Sequence, residues 1–592
     1  MSYNILGVNP GHNGSVALLV DGELVYYIEE ERLSRFKYDG NPFKGILDIL
    51  TKWHVDEIVI GGTCPDLPKL PWTGEDPYTC LIRKFNPNVK TTVIGHEHHL
   101  GHASLAFYNS GFEKAVAIIV DGAGSYKEEK LQDGTTASGY ETESVWMCEY
   151  PSKFGIIHKT YGDNRCSKIS RTGAFDFDDA VTITKAYEAV SEYLGFGFIE
   201  AGKTMGLAPY GKMDENIPPL FIGSRGSKDV FIPNFPAGAF IDQGRIDYFR
   251  QFRDPKEWHT NPDALTDVEK NLAWRIQNDT QRIVGDLIEQ AANATGETRF
   301  VIAGGYGLNC VANYYFKKRF PDFEIYCEPI ANDGGTSIGI AKFIWYNRVN
   351  EQNEQDKTIR PQLSLYLGPE YSLDVIKQAV DTTTSFDVQN VDYKDIIQLI
   401  LDKKIIAMYQ GRSEAGPRAL GNRSIIYDPR DPDGKDHVNT VKGREWFRPF
   451  AGTVLAEDAN DWFDMAGMKE SPFMMYAVNV AADKLSQIPA VTHVDDTCRI
   501  QTVTEEQNKH YYNLIKEFKS QTGVPVLFNT SFNLAGDPLV ETIDDALNSL
   551  IRSKIKYLYL PELGVLLTKT VPDPVKISEP FVGELTDNAN QS

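Results

Sequence analysis

Residues 3–30 read YNILGVNPGHNGSVALLVDGELVYYIEE, and this pattern predicts three β-strands joined by tight turns. The runs YNILGV, SVALLV and ELVYYIEE are rich in apolar and β-branched residues, whereas NPGHNG and DG between them are turn sequences. A helix predicted at about 42–53 and a strand predicted at VDEIVIGG follow them. Because strands and helices then alternate, we expect an α/β fold.

Glycine-rich turns accompany three of the predicted buried strands, in the sequences GVNPGHNGS, VDGAGS and AGGYGLN. Such turns aim backbone N–H groups inward and bind phosphates, although they also close ordinary hairpins. Three of them at strand ends resemble the actin-like ATPase superfamily, in which such segments face one nucleotide-binding cleft. Residues 265–293 should form a long helix, and residues 328–341 a turn leading into another helix. The candidate cofactor-binding residues in these turns are Gly122, Gly124, Gly304, Gly305 and Asn309.

The composition is that of an ordinary globular protein with an excess of acidic groups. The chain has 592 residues, enough for about three to five structural units. Its 60 basic and 82 acidic residues give a net charge of −22, which offers no overall attraction to nucleic acid or an anionic membrane. Seven widely spaced cysteines without a C-x-x-C pair favour a reducing compartment. The sequence shows no signal peptide and no apolar run of about 18 residues, so we predict a cytoplasmic protein with no membrane partner.

A polar stretch at 347–362, NRVNEQNEQDKTIRPQ, divides the chain. It holds almost no large apolar side chains and ends near a proline, as interdomain linkers do. We therefore predict one domain over residues 1–350 and a second over residues 363–575. The sequence leaves the oligomeric state open.

Four of the 11 histidines stand in IGHEHHLGHASLAF, residues 94–107. His98 and His102 are spaced i and i+4, so on a helix they share one face. Asp121 and Asp333 follow predicted strands, where a cleft is expected, and offer carboxylates. Two imidazoles and two carboxylates suit iron, manganese or zinc better than magnesium or calcium. A helix start with solvated histidines is the alternative that the spacing leaves open.

Seven segments together carry a family resemblance that runs in order along nearly the whole chain. They are HHLGHASLAFY, AGKTMGLAPYGK, GGYGLNCVAN, GPRALGNRSI, KGREWFRPFAGTVL, VTHVDDTCRIQTV and GVPVLFNTSFN. They look like the NodU/CmcH/TobZ family of O-carbamoyltransferases. In that family the N-terminal lobe is similar to TsaD, the tRNA threonylcarbamoyl transferase, and the C-terminal lobe is similar to YrdC. The resemblance therefore implies an actin-like α/β lobe followed by a YrdC-like α/β lobe.

The resemblance also implies a two-step reaction with ATP, Mg²⁺ and carbamoyl phosphate. The C-terminal lobe would form carbamoyladenylate with release of pyrophosphate, and the N-terminal lobe would transfer the carbamoyl group to an acceptor hydroxyl. Because this intermediate is labile to water, we expect the two phosphate-handling regions to face each other across a closed interior.

For the first lobe the resemblance implies His98, His102, Asp121 and Asp333 as ligands of an iron-type metal, Fe(II) or else Mn or Zn. It places His12 and Lys37 against the carbamoyladenylate. Many relatives have His-Asp after the first strand, but this chain has Asn13, which cannot act as a base. His12 is then the better candidate to take the hydroxyl proton, and a turn histidine bonded to backbone is the alternative.

For the second lobe a site that holds two anions needs fixed cations, and arginine suits phosphate best. By resemblance Arg418, Lys442, Arg448 and Arg499 contact carbamoyl phosphate or the ATP phosphates. Arg423 and Arg444 are further candidates, and Asn529 and Ser531 should add hydrogen bonds. For each residue alone, a surface ion pair is the competing interpretation. AGKTMGLAPYGK at 201–212 is either a loop that closes over the nucleotide or a packing turn.

The acceptor is the least determined part of the prediction. A small-molecule hydroxyl or a hydroxymethylpyrimidine, free or in nucleic acid, would fit, and nucleic acid enters only as an acceptor. Residues 124–177 are a candidate acceptor-side segment, since no nucleotide motif accounts for them. The competing functions are a tRNA threonylcarbamoyl-type transferase, a sugar kinase-like enzyme and a non-catalytic nucleotide- or metal-binding protein.

Overall fold

The structure is a computed structural model that describes residues 2–62, 67, 69–130, 134, 136–162, 170–172, 175–178, 183–217, 220–221, 265–351 and 358–574. Its described strands form three β-sheets. We call the part of the chain that carries the first two sheets the first lobe, and the part that carries the third sheet the second lobe. The predicted domain limits at 350 and 363 remain predictions.

The first sheet is built from the N-terminal quarter of the first lobe. Its strands are β1 (Asn4–Asn9), β2 (Ser15–Val20), β3 (Glu23–Glu29), β4 (Glu57–Ile60) and β5 (Lys90–Val93), with helices α1 (Glu30–Ser34), α2 (Phe43–Leu50) and α3 (Pro77–Ile82). The strand order is β3-β2-β1-β4-β5. The three-stranded meander and the helix predicted from residues 3–53 are confirmed, because alternating turns and apolar runs identify them without long-range information.

The second sheet repeats the order of the first. Its strands are β6 (Lys114–Val120), β7 (Tyr126–Lys130), β8 (Thr136–Glu149), β9 (Lys153–Gly162), β10 (Ser170–Thr172), β11 (Phe175–Asp178), β12 (Arg299–Ala303) and β13 (Glu324–Cys327). Within it, β9-β8-β6-β12-β13 pair with the same directions as β3-β2-β1-β4-β5. This duplicated sheet is the arrangement of actin-like ATPases, so the predicted fold class is confirmed.

The helices of this region are α4 (His98–Ser110), α5 (Ile183–Tyr193), α6 (Ala201–Leu207), α7 (Asp267–Thr295), α8 (Cys310–Arg319) and α9 (Thr336–Glu351). Helix α4 follows β5 and α9 follows β13, so the two helices occupy equivalent places in the two halves. They pack directly on each other between the sheets. A Cβ on Gly339 of α9 would lie 2.0 Å from the carbonyl oxygen of Gly101 on α4, so only glycine permits this approach.

Two segments differ from the sequence expectation in detail. Helix α9 extends to Glu351, into the predicted linker, because Tyr346 and Val349 continue its buried face. Most of AGKTMGLAPYGK is helical: α6 is followed by a 3₁₀ turn at Ala208–Tyr210. The long helix predicted at 265–293 is α7, and it begins with a capping box at Thr266 and Glu269.

The second lobe is a mixed sheet with helices around it. Its strands are β14 (Phe386–Asn390), β15 (Ile406–Tyr409), β16 (Arg423–Tyr427), β17 (Ala451–Leu455), β18 (Ala477–Asn479), β19 (Thr497–Val503), β20 (Val526–Ser531), β21 (Tyr557–Leu560) and β22 (Val565–Lys569). Its helices are α10 (Leu373–Thr382), α11 (Tyr393–Leu401), α12 (Gly434–Lys442), α13 (Ala459–Trp462), α14 (Lys509–Thr522) and α15 (Ile543–Ile551). The strand order is β14-β22-β21-β15-β16-β20-β17-β19-β18, so the predicted α/β class holds here too. Across the described parts of both lobes, every helix is too short or too polar to span a bilayer.

The close crossing of α4 and α9 predicts opposite effects for two glycine-to-alanine changes. Gly339→Ala should lower the free energy of unfolding by about 1–3 kcal/mol, because the new methyl group meets a backbone carbonyl. Gly202→Ala, at an exposed position of helix α6 with open space around its Cβ, should be neutral or stabilise by up to about 1 kcal/mol. Thermal unfolding midpoints of the two variants check this, and equal midpoints would contradict the packing described here.

Candidate active site

Four polar side chains from three separate parts of the first lobe meet at its centre. His98 begins α4 and His102 lies one turn later, Asp121 follows β6, and Asp333 begins the 3₁₀ turn that leads into α9. All four are buried, and one ligand atom from each lies within 4.8 Å of the others, so the group could hold a metal ion. We call these four residues the His–Asp cluster.

The distances in the His–Asp cluster fit a small divalent ion. The two imidazole Nε2 atoms are 3.1 Å apart, and His98 Nε2 lies 3.5 Å from both Asp121 Oδ2 and Asp333 Oδ1. Two nitrogens that each lie ~2.1 Å from one ion, at tetrahedral or octahedral angles, are ~3.0–3.4 Å apart. The ligand types and their spacing therefore match a transition metal or zinc.

The electrostatics of the cluster also call for a cation. Burial alone would lower the pKa of His98, but Asp333 and Asp121 outweigh it and raise that pKa well above its usual range. Burial would likewise raise the pKa of both carboxyls, yet the neighbouring histidines lower them. Two buried carboxylates thus require a positive charge between them, supplied by a proton on His98 or by a metal ion.

His99 and Glu141 lie next to the His–Asp cluster and hold neighbouring groups in position by hydrogen bonds. The Nδ1 atom of His99 lies 2.8 Å from Ser144 Oγ, and burial lowers the pKa of His99 to about 3, so this imidazole is neutral. Glu141 on β8 accepts the backbone N–H of Ser125 at 3.0 Å and pairs with the buried Lys159. Because Ser125 Oγ accepts the N–H of His98 at 3.1 Å, Glu141 fixes the start of α4 against the VDGAGS turn.

The glycine-rich turns have structural contacts that explain their composition. Gly305 N–H donates to Asp121 Oδ1 at 2.9 Å, and Gly304 has φ +83° with its Cβ position 2.4 Å from the carbonyl oxygen of Val120. Asn309 caps α8 by accepting the N–H of Ala312. Cβ atoms on Gly122 and Gly124 would lie 2.8 and 2.7 Å from carboxylate oxygens of Glu188 and Glu141. Nucleotide binding by these turns stays a prediction.

His12 and Lys37 lie in different surroundings. His12 Nδ1 is 3.4 Å from Asp333 Oδ2, and its side chain is 57% exposed, so His12 stands at the open side of the His–Asp cluster. Lys37 Nζ lies 3.4 Å from Glu200 Oε1 and 4.8 Å from the centre of the Tyr38 ring, at the junction with the second lobe. The first lobe therefore presents an imidazole next to the cluster and an ammonium group at the lobe junction.

Basic side chains converge in the second lobe. Removal from water and mutual repulsion lower the pKa of several of them, that of Arg418 to about 9. Among the described residues, the Glu445 carboxylate contacts these basic groups, 3.4 Å from Arg448. Burial would raise the pKa of Glu445, but Arg448 and Lys203 outweigh burial and lower that pKa to about 2. Such a surplus of positive charge, most of it buried, suits the binding of anions. We call this set the cationic cluster: Arg418, Lys442, Arg444, Arg448 and Arg499.

Strand β20 closes the cationic cluster on one side. Lys442 Nζ donates to the carbonyl of Ser531 and to Asn533 Oδ1, the latter at 3.1 Å. Ser531 Oγ donates to the same Asn533 oxygen at 2.6 Å. Asn529 Nδ2 donates to Ala419 O and Thr453 Oγ1, whereas its buried Oδ1 has no hydrogen-bond partner among the described residues.

Arg423 differs from the other predicted arginines. It is fully buried, and its guanidinium donates to the backbone carbonyls of Gln410, Gly411 and Glu541. It also stacks on the Tyr409 ring at 3.8 Å. Since its donors are used on the backbone of two segments, 410–411 and 541, we leave Arg423 out of the cationic cluster.

The cationic cluster lies at the junction with the first lobe, and a closed interior between the two sites stays a prediction. Arg418 Nη2 donates to the carbonyl of Leu308, in the glycine-rich turn of the first lobe, at 3.2 Å. Lys203 on α6 lies 2.8 Å from Glu445 and 3.8 Å from Glu200, so charged pairs of alternating sign cross the junction. The sequence pattern did not identify Glu445 or Glu200, because neither stands out before its partners are known.

Comparison with known proteins gives matches along most of the chain. The family profile described as Carbamoyltransferase N-terminus matches residues 76–342, and that described as Carbamoyltransferase C-terminus matches residues 397–567. Nodulation protein NolO of Bradyrhizobium diazoefficiens is 30% identical over 77% of this chain and 76% of its own length. A 3'-hydroxymethylcephem-O-carbamoyltransferase of Amycolatopsis lactamdurans is 25% identical over 91% of this chain and 95% of its own. The solved structure of T. kodakarensis HypF aligns with 12% identity and a TM-score of 0.33, covering 59% of this chain and 48% of HypF.

The geometry of the His–Asp cluster predicts a measurable metal site. His102→Ala should lower the affinity for Mn²⁺ or anaerobic Fe²⁺ at least about 100-fold. Loss of a residue that supports a ligand already costs about 10–100-fold in affinity, and loss of the ligand itself costs more. His96→Ala is the matched control, since His96 is an exposed histidine two residues before the cluster. Equilibrium metal titration of both purified variants checks this. Equal affinity of His102→Ala and the parent chain would show that the cluster is not the metal site.

Proposed function

The chain belongs to the carbamoyltransferase family, and from that premise we propose that it is an ATP-dependent O-carbamoyltransferase that works in two steps. In the first step carbamoyl phosphate and ATP give carbamoyladenylate in the second lobe. In the second step the carbamoyl group passes to an acceptor hydroxyl in the first lobe and AMP is released. Enzymatic activity follows from the family, whereas the intermediate and the division of labour are the proposal.

The observation that carries the proposal is the cationic cluster. Its basic groups stand together with one carboxylate in contact, and Arg418 Nε and Arg499 Nε have no hydrogen-bond partner among the described residues. Carbamoyl phosphate and a triphosphate are both anions, and planar guanidinium groups bind phosphate through paired hydrogen bonds. An enclosed site with unused guanidinium donors is suited to hold both substrates at once.

The first step balances with one water consumed and both phosphate and pyrophosphate released. Loss of phosphate from carbamoyl phosphate leaves a carbamate, whose oxygen attacks the α-phosphorus of ATP. The bond between that phosphorus and the pyrophosphate oxygen breaks. Negative charge grows on the leaving pyrophosphate, and in this proposal Arg448 and Arg418 would stabilise it together with Mg²⁺.

In the second step the acceptor oxygen attacks the carbamoyl carbon, and the bond to the AMP oxygen breaks. The hydroxyl proton must leave, and His12 stands beside the His–Asp cluster with its Nδ1 toward Asp333, so Nε2 is the atom that would accept it. The cluster residues His98, His102, Asp121 and Asp333 would hold the divalent metal. Such a metal supplies Lewis acidity at a phosphoryl or carbonyl oxygen when it is bound.

The acceptor proposed is a hydroxyl on a small molecule or on a modified nucleotide such as a hydroxymethylpyrimidine. Two observations support an alcohol: the family as such, and the hydroxymethyl group for which the Amycolatopsis relative is named. The net charge of −22 disfavours a long polyanion as the carrier of that hydroxyl. The proposed acceptor segment at 124–177 lies partly outside the described residues, so its role stays a proposal.

The first step can be tested without knowing the acceptor. Protein mixed with ATP, Mg²⁺ and carbamoyl phosphate should release pyrophosphate and phosphate, and omission of carbamoyl phosphate should abolish pyrophosphate release. Arg448→Ala should lower this release at least about 100-fold, because a charged contact in the transition state is lost. Arg430→Ala is the matched control: Arg430 pairs with Asp428, apart from the cationic cluster.

Pyrophosphate release that is independent of carbamoyl phosphate would contradict the proposal and indicate a plain nucleotide hydrolase. Equal loss in Arg448→Ala and Arg430→Ala would also contradict it, since the effect would then not come from the cationic cluster. Phosphate release without pyrophosphate would show that carbamoyl phosphate is hydrolysed but not transferred to ATP.

A further inference from the structure

Arg32 is a buried arginine that touches both lobes. It lies on the short helix α1 of the first lobe, and its side chain is 4% exposed. Burial alone would lower the pKa of Arg32, but surrounding carboxylates, with Glu29 and Glu31 the strongest, raise it, so the guanidinium is charged. A buried charge is held only where its contacts offset the loss of water, so the partners of Arg32 identify what it joins.

On the first-lobe side Arg32 reaches the turn that carries Asp333. Its Nη2 atom lies 3.6 Å from Glu29 Oε2, and Glu29 Oε1 accepts a hydrogen bond from Asn332 Nδ2 at 3.3 Å. A Cβ on Gly334 would lie 2.7 Å from the same Glu29 oxygen, so the turn packs directly on this carboxylate. Asn332 and Gly334 flank Asp333, a member of the His–Asp cluster.

On the second-lobe side Arg32 holds the loop that carries Arg418. Its Nη2 donates to the carbonyl oxygen of Gly416 at 2.7 Å, and its Nη1 lies 3.5 Å from the carbonyl oxygen of Glu414. Glu414 in turn accepts three backbone N–H groups of this loop, from Leu420, Asn422 and Arg423, at 2.7, 2.8 and 3.2 Å. Residues 414–423 therefore form a loop held by internal hydrogen bonds, and Arg32 contacts its first residues.

The planar fork of arginine is needed for this arrangement. The guanidinium has contacts in two directions: an ion pair with the Glu29 carboxylate in one lobe, and hydrogen bonds to two backbone carbonyls in the other. Lysine would keep the charge but offers one compact ammonium group, which cannot serve both directions in fixed geometry. Gly416 also adopts φ +83° beside the carbonyl of Pro329, so the loop lies against the segment that leads to Asp333.

We propose that Arg32 is a positioning residue that fixes the Arg418 loop relative to the Asp333 turn, so that the intermediate formed at the cationic cluster reaches the His–Asp cluster without escaping to water. This inference rests on the two-step function proposed above. Arg32 contacts no substrate in this arrangement. It acts through Glu29 on one site and through Gly416 on the other.

The test compares Arg32→Lys with Arg35→Lys. Arg35 is also a first-lobe arginine that donates to second-lobe carbonyls, those of Leu539 and Pro538 at 2.7 and 3.0 Å, but it holds neither of the two segments in question. Amide hydrogen exchange of the peptides covering 414–423 and 328–335 gives a readout that needs no activity. Arg32→Lys should speed exchange in both segments about tenfold or more, because one charge-assisted hydrogen bond is lost. Arg35→Lys should leave exchange in both segments unchanged.

A second readout follows the intermediate itself with ATP and carbamoyl phosphate and without acceptor. The parent chain and Arg35→Lys should release about one equivalent of pyrophosphate and then slow down, because the intermediate is retained. Arg32→Lys should release the first equivalent and continue at least about ten times faster, with AMP appearing in solution. If the substitution only damaged the fold, both the first equivalent of pyrophosphate and the continued pyrophosphate release would fall together.

The outcomes separate this inference from the proposed function. Unchanged exchange in both segments of Arg32→Lys overturns the positioning role whatever the activity. Faster exchange in Arg32→Lys, together with no pyrophosphate release from the parent chain, supports the positioning role and contradicts the proposed function. Should Arg32→Lys fail to fold, Glu29→Gln keeps the second-lobe contacts and should speed exchange in 328–335 alone, and no change there would overturn the inference.

Discussion

The carbonyl oxygen of Gly101 and the backbone of Gly339 approach so closely that no side-chain atom fits between helices α4 and α9. These helices occupy equivalent positions in the two halves of the duplicated sheet, and their N-termini point into the same cleft. The crossing therefore brings His98 and His102 from one half next to Asp333 from the other. Asp121 joins them because β6, which precedes it, lies beside β12 in the second half. One backbone contact thus sets the geometry of the whole first-lobe site.

Two clusters of opposite charge lie in the two lobes. The His–Asp cluster holds carboxylates that need a cation, and the cationic cluster holds guanidinium and ammonium groups that need an anion. Both arrangements disfavour the folded protein alone, since buried charge without its partner lowers stability. In the proposed function a metal ion and the nucleotide bind to the folded state alone, so each would stabilise the chain as well as take part in the reaction. The same side chains would therefore affect both the free energy of unfolding and the binding of the proposed metal and substrates.

The sequence predicted what depends on local pattern and could not predict what depends on distant partners. Strands β1 to β3, the i, i+4 pair of histidines and the long helix α7 follow from spacing and turn residues within a few positions. Arg418 and Arg423 stand in one motif, GPRALGNRSI, and the sequence makes both of them candidates for binding phosphate, Arg423 as the further one. Only the fold shows that Arg423 is enclosed by carbonyls while Arg418 faces the other lobe. Arg32 and Glu445 were missed because Gly416 and Lys203, which they contact across the junction, are distant in the sequence. Glu414 was missed because its hydrogen bonds to backbone N–H groups of its own loop leave no recognisable sequence pattern.

The hydrogen bond between Arg32 and Gly416 joins residues that are synthesised at very different times. The two residues are 384 positions apart, and a ribosome adding ~5–20 residues per second needs ~20–80 s to cover that span. During this time the first lobe can fold with Arg32 and its carboxylates uncovered, without the cationic cluster beside it. Under the proposed two-step function, a chain at this stage would hold the His–Asp cluster but receive no activated group. The junction between the lobes can form only after Gly416 has been added, and it brings the two clusters together.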